Sequence, residues 1–474
     1  MTHPAAATYA EAPPRQAPPA WLGRLWNWHE DTAVVSWWLS CFGPLLRWLT
    51  PRRRRTLLTV VAVVLGTRML ATALFGRWGL PHPVDAIGIG LALVFLFLLF
   101  RLSYVAAVHF ASLPPIVRRH PQITFHLLFW SLLVLVWTIS DATGWRGVLL
   151  AFTGLWSIVL WRLSYTVLAA QRGRVSGTRF TDHLLYLMPC YPGYIPVAKG
   201  LEYLARHEAE DETALARSQL AGIKLLLLAL MWKGALSAMN ALVYGDANSR
   251  MSHLLGFSVA LLPRTGPMLA QGADASIWIS WAGVYCNLIR EVLETALGGH
   301  VIVGALRFAG FNVFRITYRP LLSQSVVQFW GRFDYYFKEI LVDFFFLPTF
   351  SKWFRKHPAL RLFVAVFAAA FVGNMYVHLL ALPPADVLSG NVSAMWGALH
   401  SRLFYCLLLT VGIFLSMRAE QTKARTGHTS LTRRIANVVG VCTFFALVRI
   451  WDHNPEVAFL TRTEFFLGLF GLNL

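Results

Sequence analysis

The second apolar run of the chain, Val84–Phe110, reads VDAIGIGLALVFLFLLFRLSYVAAVHF. It is long enough to cross a bilayer as one helix, because about 20 apolar residues rising about 1.5 Å each span a hydrocarbon core of about 30 Å. Comparable runs recur from Leu57 onward, separated by short basic or Pro/Gly-rich connections. This repetition predicts an all-α polytopic membrane protein.

The composition points to the same class. Of the 474 residues, 56% are hydrophobic and only 14% are charged, which leaves too little polar surface to coat a soluble fold. The 42 Lys and Arg residues exceed the 23 Asp and Glu residues, for a formal net charge of +19. Because this excess lies in the connections between apolar runs, it indicates membrane topology and contact with anionic lipid, and no nucleic-acid partner is expected.

The apolar runs predict about nine to eleven membrane segments, together with re-entrant pieces. Regular spans are expected at about residues 57–75, 84–110, 123–140, 148–170, 220–244, 277–289, 361–382, 398–417 and 435–450. Leu184–Val197 contains three prolines and should be re-entrant or broken. Leu293–Pro320 contains the pair Gly298–Gly299 and then Gly310, and we expect the helix to break there as well.

The order of these features divides the chain into five parts. They are a disordered tail (1–20), an interfacial amphipathic and basic segment (21–55), N-terminal transmembrane helices (56–150), a central core (150–385) and C-terminal transmembrane helices (386–474). The basic run Arg52–Arg55 predicts a cytoplasmic N-terminus by the positive-inside rule. The five cysteines are scattered, with no CxxC pair and no zinc-type spacing, so neither a disulfide framework nor a metal site is expected.

Ionisable residues within apolar spans are costly and are therefore candidates for function. They are Arg68, Arg101, His109, His126, Arg162, His300, His378, His400 and Arg449. His378 differs from the others because it lies well inside a strongly apolar helix, where Asn374 is four residues away on the same face and Tyr376 is nearby. Two interpretations stay open: a histidine that bonds to a neighbouring helix for packing, or a buried neutral imidazole that acts as a general base. His300, beside two glycines, could line a cavity.

A second polar constellation is Ser325–Glu339, which reads SVVQFWGRFDYYFKE. It mixes aromatic residues with four charged ones, a pattern typical of an amphipathic helix in the membrane interface. An aromatic helix with an embedded carboxylate, here Asp334, could equally form the floor of a cavity. The pattern alone does not choose between these two interpretations.

The ordered pieces of the chain resemble the signature of the membrane-bound O-acyltransferases (MBOAT), with motifs that diverge. They are Gly310-Phe311, Tyr318-Arg319-Pro320, Phe329–Asp334, Leu347-Pro348 and the apolar helix that bears His378, preceded by weaker echoes at Trp161–Tyr165, Tyr186–Pro196 and Met231–Lys233. The resemblance covers roughly residues 150–385 and implies a core with a central tunnel. It places His378 at the family's catalytic histidine and Asp334 at its second polar position. Gly331–Asp334 stands where many bacterial members have Arg-Arg-Trp-His.

The resemblance also implies a reaction: transfer of an acyl group, most simply acetyl, from acyl-CoA to a hydroxyl of a surface polysaccharide, a lipid or a secreted metabolite. No permanently bound cofactor is implied, and the setting is the bacterial inner membrane, with membrane lipids and a separate extracytoplasmic transferase as partners. The residues expected to contact substrates are Phe329, Trp330, Arg332, Tyr335, Lys338, Asn374, Tyr376 and His300. Arg332, Lys338, Lys352 and Arg355 could bind the CoA phosphates or could simply be positive-inside flanks.

Two other function classes remain open at this stage. Broken helices and intramembrane polar residues are also typical of secondary transporters and lipid flippases. Apart from a short Arg-Leu-Ser-Tyr echo at residues 101–104 and 162–165, the chain shows no paired halves, which disfavours that class. A non-catalytic scaffold with a degenerate acyltransferase fold is the third possibility.

Overall fold

A computed structural model of the chain describes residues 26–74, 85–139, 144–189, 193, 195–272, 276–381, 387, 389–423, 430–452 and 457–472. The predicted disordered tail (1–20) lies outside the described residues, and so does the predicted boundary near residue 386. Within the described ranges the secondary structure is helical, apart from two isolated bridges, Glu208 to Phe311 and Tyr244 to Ala260.

Twenty α-helices follow one another along the described chain. The first ten are α1 (Thr32–Trp48), α2 (Pro51–Thr72), α3 (Ala86–Val108), α4 (Pro115–Arg119), α5 (Pro121–Thr138), α6 (Trp145–Gln171), α7 (Phe180–Leu187), α8 (Leu201–Arg206), α9 (Glu212–Leu242) and α10 (Arg250–Leu255). The others are α11 (Thr265–Ala270), α12 (Ile277–Phe308), α13 (Val326–Phe333), α14 (Tyr335–Leu341), α15 (Leu347–Lys352), α16 (Pro358–Phe367), α17 (Asn374–Ala381), α18 (Val392–Lys423), α19 (Leu431–Val448) and α20 (Phe459–Gly468).

Eight helices of the described chain are long and apolar enough to cross a membrane, which confirms an all-α polytopic membrane protein. They are α2, α3, α5, α6, α9, the continuous stretch Pro358–Ala381 that contains α16 and α17, α18, and α19 with its extension to Trp451. Each overlaps a predicted span. The basic run Arg52–Arg55 forms the first turn of α2.

The predicted break within Leu293–Pro320 lies near its middle and not at the glycine pair, because α12 runs without interruption through Gly298 and Gly299 to Phe308. The two glycines cost helical stability, but Gly299 has a packing role: a Cβ there would lie 2.9 Å from Cβ of Ile316. The chain leaves the helix only at Gly310, whose φ of 96° is open to glycine and strained for other residues. With charged residues near its middle, α12 does not count among the eight apolar spans.

The predicted break in Leu184–Val197 is confirmed for the residues that the structure describes. Helix α7 ends at Leu187, Pro189 follows, and the next helix begins at Leu201. Proline lacks a backbone donor and clashes with the preceding turn, which explains why the helix stops there.

Two apolar cores lie side by side. The first includes Phe100, Trp161 and Tyr186 from the N-terminal half, together with Val377 of α17. The second includes Phe329, Tyr405 and Phe445 from the C-terminal half. Helices α13, α14 and α17 contribute side chains to one or both cores, so the segments that carry Asp334 and His378 lie where the two cores meet.

Two π-helical turns adjoin this junction and contact each other: Val342–Phe346 after α14, and Ala368–Gly373 before α17. Their contact is close, since a Cβ on Gly373 would lie 2.7 Å from Cγ of Phe345. A π turn inserts one residue and so rotates the face that the following helix presents, and such turns occur often at functional sites. The second turn therefore sets the direction of the side chains on α17.

Helices α9 and α12 approach each other closely at Gly222. A Cβ there would lie 2.7 Å from the carbonyl oxygen of Gly304 and 2.7 Å from the amide nitrogen of Phe308. Small residues allow helix backbones to approach in membranes, where van der Waals packing replaces the hydrophobic driving force.

We expect Gly222→Ala to lower the free energy of unfolding by about 1–3 kcal/mol, because backbone atoms cannot move aside as a flexible side chain would. Thermal unfolding of the purified protein in detergent measures the change. Gly234→Ala on the same helix is the matched control, since its Cβ meets no atom within 4 Å. Equal melting of the Gly222→Ala protein and the wild type would contradict the close approach.

Candidate active site

A cavity of about 240 Å³ lies at the junction of the two cores. The residues that line it are Ile195, Glu291, Glu294, Thr295, Trp330, Phe333, Asp334, Phe337, His378, Arg402, Tyr405, Arg449 and Asp452. It thus brings together the two residues singled out as catalytic candidates, His378 and Asp334. Ser325–Glu339 contributes Trp330, Phe333, Asp334 and Phe337 to the lining, in agreement with its interpretation as a cavity floor.

Asp334 separates α13 from α14. Its extended backbone (φ −138°, ψ 91°) interrupts the helix, and its carboxylate accepts a hydrogen bond of 3.1 Å from the backbone N–H of Phe337. Aspartate is among the best N-terminal helix caps, so the local sequence Phe-Asp-Tyr-Tyr-Phe explains the geometry. Burial raises the pKa of the Asp334 carboxyl to about 6, although the bond from Phe337 acts in the opposite direction.

His378 faces the same cavity from α17. The centroid of its ring lies 6.0 Å from that of Phe337, whose backbone amide donates to the capping carboxylate of Asp334. Its Nδ1 lies 3.1 Å from Nη1 of Arg402 on α18.

Arg402 belongs to a chain of buried charges along one wall. Its Nε and Nη2 donate to Oδ1 and to the carbonyl oxygen of Asp452, both at 3.1 Å. Arg449 lies 3.8 Å from the other oxygen of Asp452 and pairs with Glu291 of α12. Charges removed from water are stable only when paired, so each member of this chain depends on its neighbours.

Several cavity residues were not predicted: Glu291, Glu294, Arg402 and Asp452. The first two are three residues apart and thus share a helical face, a spacing visible in the sequence. Arg402 lies inside a predicted span and satisfied the rule that an intramembrane charge is a functional candidate.

The predicted substrate-contacting residues are distributed over several environments. Trp330 lines the cavity, whereas Phe329 is fully buried in the second core, with its ring 3.8 Å from that of Phe445. His300 is buried on α12, with Nδ1 2.5 Å from the carbonyl oxygen of Ala296, and is not among the cavity residues.

Tyr376, two residues before His378, belongs to a separate buried cluster. Its hydroxyl lies 2.7 Å from Nδ1 of His126 and accepts a hydrogen bond of 3.0 Å from Nε1 of Trp130. Asn374 is fully buried, and among the described residues its amide has no hydrogen-bond partner. The expected polar stripe of Asn374 and His378 therefore does not form a joint contact with the cavity.

A second cavity of about 250 Å³ includes Tyr335, the first residue of α14, in its lining. Its lining consists of Tyr165, Arg172, Arg174, Lys199, Glu202, Tyr203, Arg206, His207, Phe314, Tyr335 and Asp343. Four of these residues are Arg or Lys and two are carboxylates. The consecutive residues Asp334 and Tyr335 line different cavities, so the two spaces are one residue apart along the chain.

The charges of the second cavity are partly neutralised. Arg174 donates to both carboxylate oxygens of Glu202, at 2.9 and 2.8 Å, and Lys199 pairs with Glu339 and lies 3.0 Å from Asp343. Burial alone would lower the pKa of Lys199, but the carboxylates of Glu339 and Asp343 raise this pKa above its usual value. The lining therefore keeps a positive excess that suits an anionic ligand.

The predicted phosphate-binding residues do not line either cavity. Lys338 instead lies 4.7 Å over the Tyr335 ring and 2.5 Å from Glu339. Arg332 contributes its backbone carbonyl, which accepts a hydrogen bond from the amide of Tyr318. Among the described residues no group of three His, Cys, Asp or Glu side chains is arranged to hold a metal ion.

Comparison of the chain with family models and with curated proteins found no match.

We predict that Asp334→Asn stabilises the protein at neutral pH. The pKa of Asp334 is about 6 in the folded protein against an ordinary 3.8. Between these values the folded state binds more protons than the unfolded state, so this residue favours folding below about pH 4 and loses that contribution as the pH rises through about 6. Asparagine caps a helix equally well without the charge.

The expected gain in the free energy of unfolding is about 1–3 kcal/mol at pH 7.5 and about zero near pH 4. Melting curves at the two pH values measure it. Asp211→Asn is the matched control, because Asp211 caps α9 with a bond of 2.7 Å to Ala214 N at an exposed position. If Asp334→Asn is less stable than the wild type at pH 7.5, the ionised Asp334 carboxylate does not destabilise the folded protein, and the prediction is wrong.

Proposed function

We propose that the chain is a membrane-embedded O-acyltransferase that moves an acyl group, most simply acetyl, from acyl-CoA to a hydroxyl. The observation that carries the proposal is the cavity that is lined by both Asp334, between α13 and α14, and His378 on α17. A hydroxyl is a poor nucleophile near neutral pH, so its reaction with a thioester requires a group that removes its proton. The reaction also requires a hydrogen-bond donor close to the thioester carbonyl oxygen, where negative charge develops. The cavity offers candidates for both tasks.

The membrane setting supports this chemistry. Glu291, Asp334 and Arg449 lie among apolar helices, where a low dielectric strengthens hydrogen bonds to developing charge. Exclusion of bulk water from the cavity protects a thioester from hydrolysis. An apolar lining formed by Ile195, Trp330 and Phe333 suits a short acyl chain.

The second cavity supports a phosphate-bearing donor. Arg172, Arg174 and Arg206 line it, and arginine binds phosphate through paired N–H donors. Arg172 and Arg174 fall in the basic loop at residues 171–179, which the positive-inside rule assigns to the cytoplasm, where acyl-CoA is available. In this proposal the nucleotide part of CoA occupies the second cavity and the thioester extends past Tyr335 toward Asp334.

The setting proposed is the bacterial inner membrane, with the N-terminus in the cytoplasm. The acceptor is a surface glycan, a lipid or a secreted metabolite that carries a hydroxyl, reached directly or through a separate extracytoplasmic transferase. Membrane lipids surround the apolar faces of the eight spanning helices.

We expect His378→Ala and Asp334→Ala each to lower acyl transfer by at least about 100-fold, because each removes one of the two polar groups at the reacting centre. The assay incubates membranes that contain the protein with radiolabelled acetyl-CoA, and then with acyl-CoA of increasing chain length. Label is counted in the lipid and glycan fractions.

His253→Ala is the matched control for this assay. His253 is exposed on α10 and lines neither cavity. If the wild type transfers no acyl group of any length, or if His378→Ala transfers as fast as the wild type, the proposed function is wrong.

We predict that Arg172→Gln combined with Arg206→Gln raises KM for acyl-CoA about 10-fold or more and leaves kcat nearly unchanged. Each charge-assisted hydrogen bond from these arginines to a phosphate contributes about 1.5–3 kcal/mol. Because it binds acyl-CoA equally in the ground state and the transition state, its loss raises KM and not the barrier of the chemical step. The same variant should use a short acyl thioester that lacks the nucleotide as well as the wild type does. Arg118→Gln, an exposed arginine on α4, is the control. An unchanged KM for acyl-CoA would exclude the second cavity as the phosphate site.

A further inference from the structure

The contact between Arg402 and His378 determines where the imidazole can carry its proton. Nη1 of Arg402 lies 3.1 Å from Nδ1 of His378. A guanidinium has five N–H donors, no acceptor, and stays protonated in proteins. Nδ1 must therefore accept this hydrogen bond, and in the neutral ring the single proton lies on Nε2.

The other states of the ring are disfavoured. Rotating the ring by 180° would place a carbon atom beside the guanidinium and would lose the hydrogen bond. Protonating both nitrogens would direct an Nδ1–H against an N–H of Arg402, with two cations 3.1 Å apart. In the neutral ring Nε2 already carries the proton, and the Nδ1 lone pair faces the guanidinium, so His378 is a poor acceptor for the proton of a substrate.

Arg402 cannot easily turn away to relieve this constraint. Its Nε and Nη2 are both bound to Asp452, and Asp452 also faces Arg449. Arg449 is paired in turn with Glu291 on α12. The side chains of Arg402 and Asp452 are only 18% and 8% exposed, so reorganisation would leave a buried charge without its partner.

We propose that Arg402 is a positioning residue which holds His378 as an Nε2–H donor, and that Asp334 is the group which takes the proton from the acceptor hydroxyl. The proposal rests on the function proposed above. It reverses the assignment made from the sequence, in which His378 was the base.

Asp334 suits this role better than the other carboxylates of the cavity. Glu291 pairs with Arg449, Asp452 with Arg402, and Glu294 lies 3.0 Å from Arg290. Among the described residues Asp334 has no cationic partner, and its bond from Phe337 N leaves lone pairs to accept a proton. Burial also raises its pKa to about 6, which places it close to the range where a general base is most effective.

The reaction then balances as follows. The hydroxyl oxygen attacks the thioester carbonyl carbon while its proton passes to the Asp334 carboxylate, and the carbonyl oxygen, now negative, accepts a hydrogen bond from Nε2–H of His378. Collapse of the tetrahedral intermediate breaks the carbon–sulfur bond. The leaving thiolate takes the proton from Asp334, so that ester and free CoA thiol are the products and both residues return to their starting states.

His378→Gln separates the two assignments. A glutamine amide reaches the position of Nε2 and can donate a hydrogen bond, but it cannot accept a proton as a base does. We expect His378→Gln to retain acyl transfer within about 10-fold of the wild type, whereas His378→Ala and Asp334→Asn lose at least about 100-fold. If His378→Gln is folded and as inactive as His378→Ala, while the wild type is active, the donor role is wrong.

A second measurement does not depend on turnover. Nitrogen-15 NMR of ring-labelled histidine, with the His378 signals assigned by difference from His378→Gln, reports which nitrogen carries the proton. We expect protonated Nε2 and bare Nδ1 in the resting protein, and a mixture of tautomers in Arg402→Gln. Arg264→Gln is the control, since it breaks an exposed ion pair with Asp246 and should leave the His378 signals unchanged.

Protonated Nδ1, or an imidazolium, in the wild type would overturn the proposal. Absence of acyl transfer with every donor, together with the expected tautomer, would refute the proposed function and leave the positioning by Arg402 intact. The two failures are therefore distinguishable.

Discussion

The low dielectric of the helical bundle is the constraint on which the site depends. An arginine placed among apolar helices is stable only beside a carboxylate, and Arg449 satisfies this through Glu291 and Asp452. Asp452 in turn binds Arg402, and Arg402 binds His378. One electrostatic requirement thus connects α12, α17, α18 and the end of α19, and it determines the orientation of the imidazole.

The same constraint separates the roles of two polar residues in one cavity. Burial disfavours the ionised form of Asp334, whose pKa is raised to about 6, so this carboxyl is close to the balance between proton donor and acceptor near neutral pH. In the proposed site, Arg402 donates to Nδ1 of His378, and the proton of the imidazole lies on Nε2, away from the guanidinium. In the proposed reaction Asp334 removes a proton and His378 stabilises the negative charge on the carbonyl oxygen. The different surroundings of the two side chains assign these two roles.

Much of the fold could be predicted from the sequence, because hydrocarbon thickness and proline chemistry act locally. The eight spans and the break after Leu187 follow from apolar run length and from Pro189. Gly298 and Gly299 were misleading, since glycine permits a helix break and equally permits close packing, and only the neighbouring Ile316 shows which applies.

The part of the site that local sequence patterns reveal could also be predicted. His378 and Asp334 stand out as isolated polar residues in apolar surroundings, and they do line one cavity. The partnership of Arg402 with Asp452 joins distant parts of the chain, so no local pattern reveals it. Phe329 illustrates the opposite case: it belongs to the aromatic motif, but its ring stacks on Phe445 in the second core and lines neither of the two described cavities.

The most direct test of the account is a cryo-electron microscopy structure of the protein in lipid nanodiscs with a non-hydrolysable acyl-CoA thioether. The account predicts density for the nucleotide among Arg172, Arg174 and Arg206, and density for the acyl carbon between Asp334 and His378. If both cavities are empty at a saturating concentration of the thioether, or if the thioether binds elsewhere, the account is wrong.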